Sequence, residues 1–345
     1  MSVAAQLRRR IAGGGPIPFE VFQELALYGE GGFFAVGPVR SSATGDFMTS
    51  PEVSPWFGRT IGKFLAKRDI VTLVEAGAGT GSLLRTLLPV LDGVEAWAVE
   101  ASPMARDCLQ RVVAAERVVE SLQDLPSGAV GAIVANELLD NLPVAIAVKT
   151  TDGWHEHYVD RAGEELVFVE VEARPEVLTW ADSYGGQVPV GGIVEVQLRA
   201  AAWLREAIDL LASGVILLID YGGTVEELEP RRSTGTLRTY RGHHLGPDPL
   251  LEPGETDITV DVNFTALMDV AEDMGCAVEL FRQDDFLGEH GLREVVSQLK
   301  HEELAHARAG NTMQQLEVRN ERISAETLLH PRGLGDFRVL VVQVG

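Results

Sequence analysis

From residue 70 onward, short apolar runs alternate with stretches of helical periodicity, and this rhythm is the main structural signal in the chain. VTLVEAG (71–77) reads as a buried strand and SLLRTLLPVL (82–91) as the helix behind it. EAWAVEA (95–101) is a second strand, followed by SPMARDCLQRVVAA (102–115), a helix with Ser102 at its N-cap and Pro103 at its first position. ERVVES (116–121) and GAIVANE (131–137) are the third and fourth strands. The pattern resumes with a helix at 198–212, strand GVILLIDYG (214–222), a helix at 264–275 and strand CAVELF (276–281). RVLVVQVG (338–345) closes as a late strand. Strands alternating with helices of roughly 10–15 residues predict an α/β fold, a Rossmann-like, mostly parallel sheet wound on both faces.

Three regions break the rhythm. Residues 1–69 form an N-terminal segment, with Phe19, Phe22, Leu25 and Ala26 at helical spacing before a Gly-rich, aperiodic stretch at 31–55. A loop that long inside a compact domain is usually functional or disordered, and its aromatic residues favour function. Residues 145–190 alternate polar and apolar positions around Asp152-Gly153, a strong hairpin signal, and predict an antiparallel β insertion. Residues 223–262 form a second, irregular insertion, and 292–308 a charged helical stretch. The expected organisation is an N-terminal helical and loop segment followed by one domain, 70–345, carrying both insertions.

Charge narrows the class. Among 345 residues, 51 are acidic and 29 basic, a formal charge of −22. Such a surface repels phosphate backbones, which argues against nucleic-acid binding, and attracts a cationic partner such as an Arg-rich protein segment. Cys108 and Cys276 have no CxxC spacing, so neither a disulfide framework nor a zinc site is indicated. His155 and His157 share a strand face without a third ligand. The longest apolar runs, such as GVILLI, are far below the ~20 residues of a membrane helix. The first residues lack the apolar core of a secretory signal, which predicts a cytoplasmic protein.

The candidate chemistry starts at EAGAGTG (75–81), which joins the first strand to its helix, where a parallel sheet opens its ligand crevice. Gly77, Gly79 and Gly81 let the backbone turn tightly and approach a ligand, and the helix start beyond them favours an anion. The nicotinamide fingerprint needs glycine or alanine at 82, where Ser82 stands, which disfavours a dehydrogenase. The loop, with Glu75 two residues before its first glycine, resembles the S-adenosylmethionine loop of Rossmann-like methyltransferases. Glu100 ends the second strand, where a carboxylate is expected to hold both ribose hydroxyls. Asp124, after the third strand, is a candidate for the adenine contact, with an exposed turn acid as the alternative. Thr49 and Ser50 lack a nearby His–Asp pattern, which rejects a hydrolase.

The fourth strand runs into NELLDNLPV (136–144), which brings Asn136 and Glu137 to the carboxyl edge of the sheet. Asp140 lies three residues past Glu137, so a helical turn would face both carboxylates the same way, although either also suits a helix cap. Here the chain resembles the MidA-type S-adenosylmethionine-dependent methyltransferases, which include the mitochondrial complex I assembly methyltransferase. The resemblance runs through GDFMTSPEVSPWFG (45–58), EAGAGTG, ANELLDNLPV (135–144), LLIDYG (217–222), GTLRTYRGHH (235–244) and DITVDVNFTAL (257–267). Asn141 stands where the family often has alanine, and the loop is GAGTG rather than GPGRG; neither departure removes a charge or a needed glycine.

The resemblance implies S-adenosylmethionine as cofactor and a cleft built by the N-terminal segment and the β insertion. It also implies methylation of an accessible arginine on a protein substrate, since the mitochondrial relatives form symmetric dimethylarginine on a complex I subunit. A guanidinium attacks poorly unless carboxylates orient it and localise its charge, and Glu137 and Asp140 are the candidates for this, with Asp46 and Glu52 in support. For Asp46 an Asx-turn is the competing role. Glu75, Gly77, Gly79, Gly81, Glu100, Asp124 and Asn136 are the candidate cofactor contacts. Asp220-Tyr221 at the end of the fifth strand could line the far side of the cleft, with capping of backbone N–H groups as the alternative for the strand-end acid. Arg238, Arg241, His243 and His244 form a cationic cluster that would suit an acidic stretch of substrate, or a solvated loop. Two other readings stay open: an assembly factor that binds cofactor and holds a partner with little catalysis, and a methyltransferase for a small molecule.

Overall fold

The computed structural model describes residues 1–36, 49–241 and 244–345. Its centre is a seven-stranded sheet of β1 (Thr72–Ala76), β2 (Glu95–Val99), β3 (Val118–Val119), β4 (Ala129–Asn136), β5 (Leu211–Asp220), β6 (Ala277–Arg282) and β7 (Arg338–Val344). The order is β6-β7-β5-β4-β1-β2-β3, with β1 to β5 parallel and β7 antiparallel to both its neighbours. The predicted doubly wound α/β fold is therefore present. Its central strands are largely apolar because both of their faces are covered. One face packs on Phe57, Ile61, Leu83 and Leu87, the other on Leu204, Ile208, Phe264 and Leu267. The winding order reverses between β1 and β4, with β2 and β3 added on one side and β4 and β5 on the other, and this switch point opens a crevice at their carboxyl ends.

A second sheet, wholly antiparallel, joins Ala145–Lys149, Trp154–Ala162, Glu165–Glu172 and Ile193–Val196, and the N-terminal Ile17–Pro18 adds a fifth strand. Arg174 makes a bidentate pair with the fully buried Glu156 and reaches Glu20, tying this sheet to the N-terminal helix Phe19–Leu27. Gln23 of that helix is also buried. Its amide accepts from the Val144 N–H at 3.0 Å and donates to the Asn141 and Ile258 carbonyls, clamping the segment after β4.

Three elements depart from the sequence reading. The helix after β2 covers only Pro103–Leu109, and the Ser102 side chain makes no cap bond. Residues 223–262 are less irregular than expected: Arg238–Arg241, His244–Leu245 and Asp257–Thr259 form a small antiparallel sheet. Long-range pairing supplies the order that local periodicity does not announce. The charged helix Arg293–Ala309 folds back on an unanticipated partner, Thr312–Leu328, whose sparse apolar positions bury only Ala325 and Leu328. No helix among the described residues is long and apolar enough to cross a membrane.

Candidate active site

The crevice holds a cavity of about 370 Å³, large enough for a cofactor-sized ligand. One wall is the loop after β1. Gly77, Gly79 and Gly81 have φ of 69°, 52° and 79°, left-handed values that cost other residues free energy. A Cβ at Gly77 would press on Leu138, and one at Gly81 on Leu109 and Val112. Glu75 is buried and accepts from the Leu84 N–H in the helix Ser82–Leu87, which fixes loop to helix. Its Oε2 has no partner among the described residues.

Glu100 closes the side beyond the loop. Its carboxylate accepts from the Gly79 N–H and the Ser102 N–H, each at 2.8 Å, and Ser121, Leu122 and Gln123 continue the wall. The Asn136 Oδ1 is buried without a partner, an acceptor waiting for a donor. These groups fit S-adenosylmethionine: Glu100 for the ribose hydroxyls, the glycine loop for close passage of the ligand, and the orphaned Glu75 and Asn136 oxygens for its amino group. When bound, that cofactor supplies an electrophilic methyl on a cationic sulfur.

Asp124 does not face this cavity. It is exposed, and its carboxylate accepts from both the N–H and the hydroxyl of Ser121 in a capping box around its own turn. Its neighbours Ser121 to Gln123 line the wall instead, because the tight turn directs successive side chains differently.

The chain after β4 carries the reactive carboxylates. Glu137 has φ 51°, the one left-handed non-glycine among the described residues, held by its N–H bonding to the Ile219 carbonyl at 2.8 Å. This strain aims its side chain at the crevice, where it accepts from the Ser50 N–H and the Asn136 Nδ2 at 3.3 and 3.2 Å. Glu137 and Asp140 thus do not sit on a regular helical turn as expected; Asp140 follows in a 3₁₀ turn, Leu139–Asn141. Enclosure, then the nearby Asp140, push the Glu137 carboxyl up to about 8. Burial also raises Asp140, against the pull of the Tyr221 hydroxyl, which donates to its Oδ2. Asp220 points inward, accepting from the N–H groups of Leu139, Asp140 and Tyr221, so it braces the turn rather than lining the cleft.

Asp140 and Tyr221 line a second cavity of about 360 Å³. The two cavities share Glu137 and Asn141, so Glu137 stands at their junction. Tyr28, whose hydroxyl donates to the Asn141 carbonyl at 3.3 Å, lines the first, and with Gln23 supports the junction from the N-terminal helix region. Neither residue was singled out from sequence; a buried Gln in an amphipathic helix was the available signal. Glu52 lines the first cavity, but its carboxylate also caps its own short helix at Thr49. Asp46 and His243 lie outside the described residues.

The expected cationic cluster is neutralised within the chain: Arg238 and Arg231 both pair with Asp261, and Arg241 pairs with Glu252 and Glu255. It offers little free charge to an acidic ligand. His155 and His157 both approach Glu170 in the β insertion.

Comparison with known proteins agrees with this geometry. Residues 54–282 match the family model described as an S-adenosyl-L-methionine-dependent methyltransferase. A protein from Burkholderia thailandensis, crystallised with S-adenosylhomocysteine, superimposes with a TM-score of 0.85 at 29% identity, covering 99% of this chain and 91% of that one. The mitochondrial protein arginine methyltransferase NDUFAF7 homolog of Drosophila melanogaster is 30% identical over 79% of this chain and 71% of its own length. Its mouse counterpart is 29% identical over 83% and 73%. This chain belongs to the MidA-type family of S-adenosylmethionine-dependent methyltransferases.

Proposed function

We propose that the protein methylates an arginine side chain of a protein substrate, with the guanidinium entering through the second cavity and meeting the cofactor's methyl at Glu137. The observation that carries this reading is the shared position of Glu137 between a cofactor-shaped cavity and an acidic one. The acidic cavity presents Glu137, Asp140, Asp257, Asp261 and Asp336. Arg231 and Arg238 pair with Asp261, and Arg282 and Arg338 with Asp336, so the reading rests on Glu137 and on Asp140, whose Oδ1 has no partner among the described residues. An excess of carboxylates beside an enclosed electrophile suits a cationic nucleophile better than a neutral or anionic one. The names of the Drosophila and mouse relatives support the same acceptor.

Methyl transfer asks for orientation above all, which contributes on the order of 7–11 kcal/mol in well-aligned systems. An arriving guanidinium lowers the Glu137 carboxyl from its raised value, and the carboxylate then fixes one nitrogen and holds charge on the others. Glu137 is also placed to receive the proton that the guanidinium sheds on methylation. Glu137→Gln tests this. With labelled cofactor and host-protein substrates, transfer falls by ~10³-fold while S-adenosylhomocysteine affinity stays within about threefold. Full turnover by the variant removes Glu137 from the mechanism. Stable capture of a partner by the wild type with no labelled residue would favour a holding role over catalysis.

A further inference from the structure

Asp124 serves its own turn, yet the same end of the first cavity carries another carboxylate. Glu206 lines it from the helix Leu198–Leu210, and Trp203, three residues earlier, lines it from the same helical face. The end of this helix is fastened beside the Ser121–Asp124 turn: the Gly128 N–H donates to the Leu210 carbonyl at 2.9 Å. Glu206, one turn before Leu210, therefore stands next to the wall formed by Ser121, Leu122 and Gln123. Leu122, Leu138, Leu142 and Trp203 pack into one apolar group on that face of the sheet.

The Glu206 Oε1 is enclosed and has no hydrogen-bond partner among the described residues. An enclosed carboxylate oxygen without a donor is costly, and a ligand that brings a donor removes the cost. The adenosyl group brings a flat ring that suits an apolar slot edged by an indole, and an exocyclic amine with two N–H donors. We propose that Glu206 accepts a hydrogen bond from the exocyclic amine of the cofactor's adenine, with Trp203 and Leu122 walling the ring. The glycine loop and Glu100 serve the rest of the cofactor, so Glu206 sets the choice of base.

Calorimetric titration tests this with S-adenosylhomocysteine and with S-inosylhomocysteine, which carries a carbonyl in place of the amine. The wild type prefers the adenosyl ligand by at least ~10-fold, as expected where a site bonds a specific polar group. Glu206→Gln, whose amide can also donate to the carbonyl, binds the adenosyl ligand ~10-fold more weakly and brings the preference close to one. Glu100→Ala serves as control and weakens both ligands alike. Unchanged thermal unfolding of ligand-free Glu206→Gln assigns the loss to the site, since the free oxygen bonds nothing in the fold. A preference kept intact in Glu206→Gln, or a wild type that binds both ligands equally, overturns the assignment.

Discussion

The two cavities that meet at Glu137 are assembled in opposite ways. The cofactor cavity is centred on strand ends of one sheet: Glu75 to Thr80 at the end of β1, Glu100 after β2, Ser121 to Gln123 after β3, and Asn136 and Glu137 at the end of β4. The acidic cavity draws on 137–141, 221–240, 257–261 and 332–337, held in place by ion pairs and by a small separate sheet bonded to the turn after β4. The first is backbone geometry repeated along a sheet edge; the second is charge gathered over long loops. Function that depends on the first should tolerate substitutions in the second, and the reverse.

Losing the ribose acid is the largest expected effect on the cofactor side. Glu100→Ala removes a carboxylate bonded to two N–H groups and placed for the ribose, and S-adenosylhomocysteine affinity falls by ~10²-fold in calorimetry. Intact affinity would break the division between the cavities, because the glycine loop alone would then suffice. On the acidic side, Tyr221→Phe takes away the hydroxyl that orients Asp140. Transfer slows by ~10-fold in kcat, with cofactor affinity unchanged. An equal change in cofactor affinity would mean that the two cavities respond as one.

A pH profile sharpens the junction itself. With the Glu137 carboxyl near 8 in the free protein, kcat/KM rises with pH through that value and levels off above it. The sign for stability is the reverse. The unfolded chain releases this proton near 4.5 and the native protein near 8, so ligand-free stability declines as pH climbs through that window. Denaturant titration at several pH values should show the decline, and Glu137→Gln should make it shallower, since the raised carboxyls of Glu75, Asp140 and Asp220 contribute with the same sign. The smallest effect belongs to Asp124. Asp124→Ala loses a turn cap worth about 1 kcal/mol and leaves cofactor affinity unaltered, where a tenfold loss would return Asp124 to the site.

Much of the first cavity was legible from sequence. Three closely spaced glycines and an acid at the next strand end can meet only if the strands are parallel neighbours, and apolar runs alternating with helices predicted that arrangement. The Gly79–Glu100 bond is the direct result. Asp124 shows where such reading stops. The length of the turn after β3 was visible, but the direction of each side chain depends on φ and ψ values that residue type does not specify. Tyr221 illustrates a different gap: it was placed at a strand end, while its bond to Asp140 required folding together residues 81 positions apart.

Residue order alone determined the doubly wound sheet, the glycine loop and the acid that answers it, because each follows from periodicity or from a conformation that one residue type adopts readily. Tertiary structure decided which carboxylates work as caps, which are neutralised by arginines, and which reach the junction. Those outcomes depend on the distance and enclosure of groups far apart in the chain, and solvation and Coulomb energies are set by the assembled surroundings.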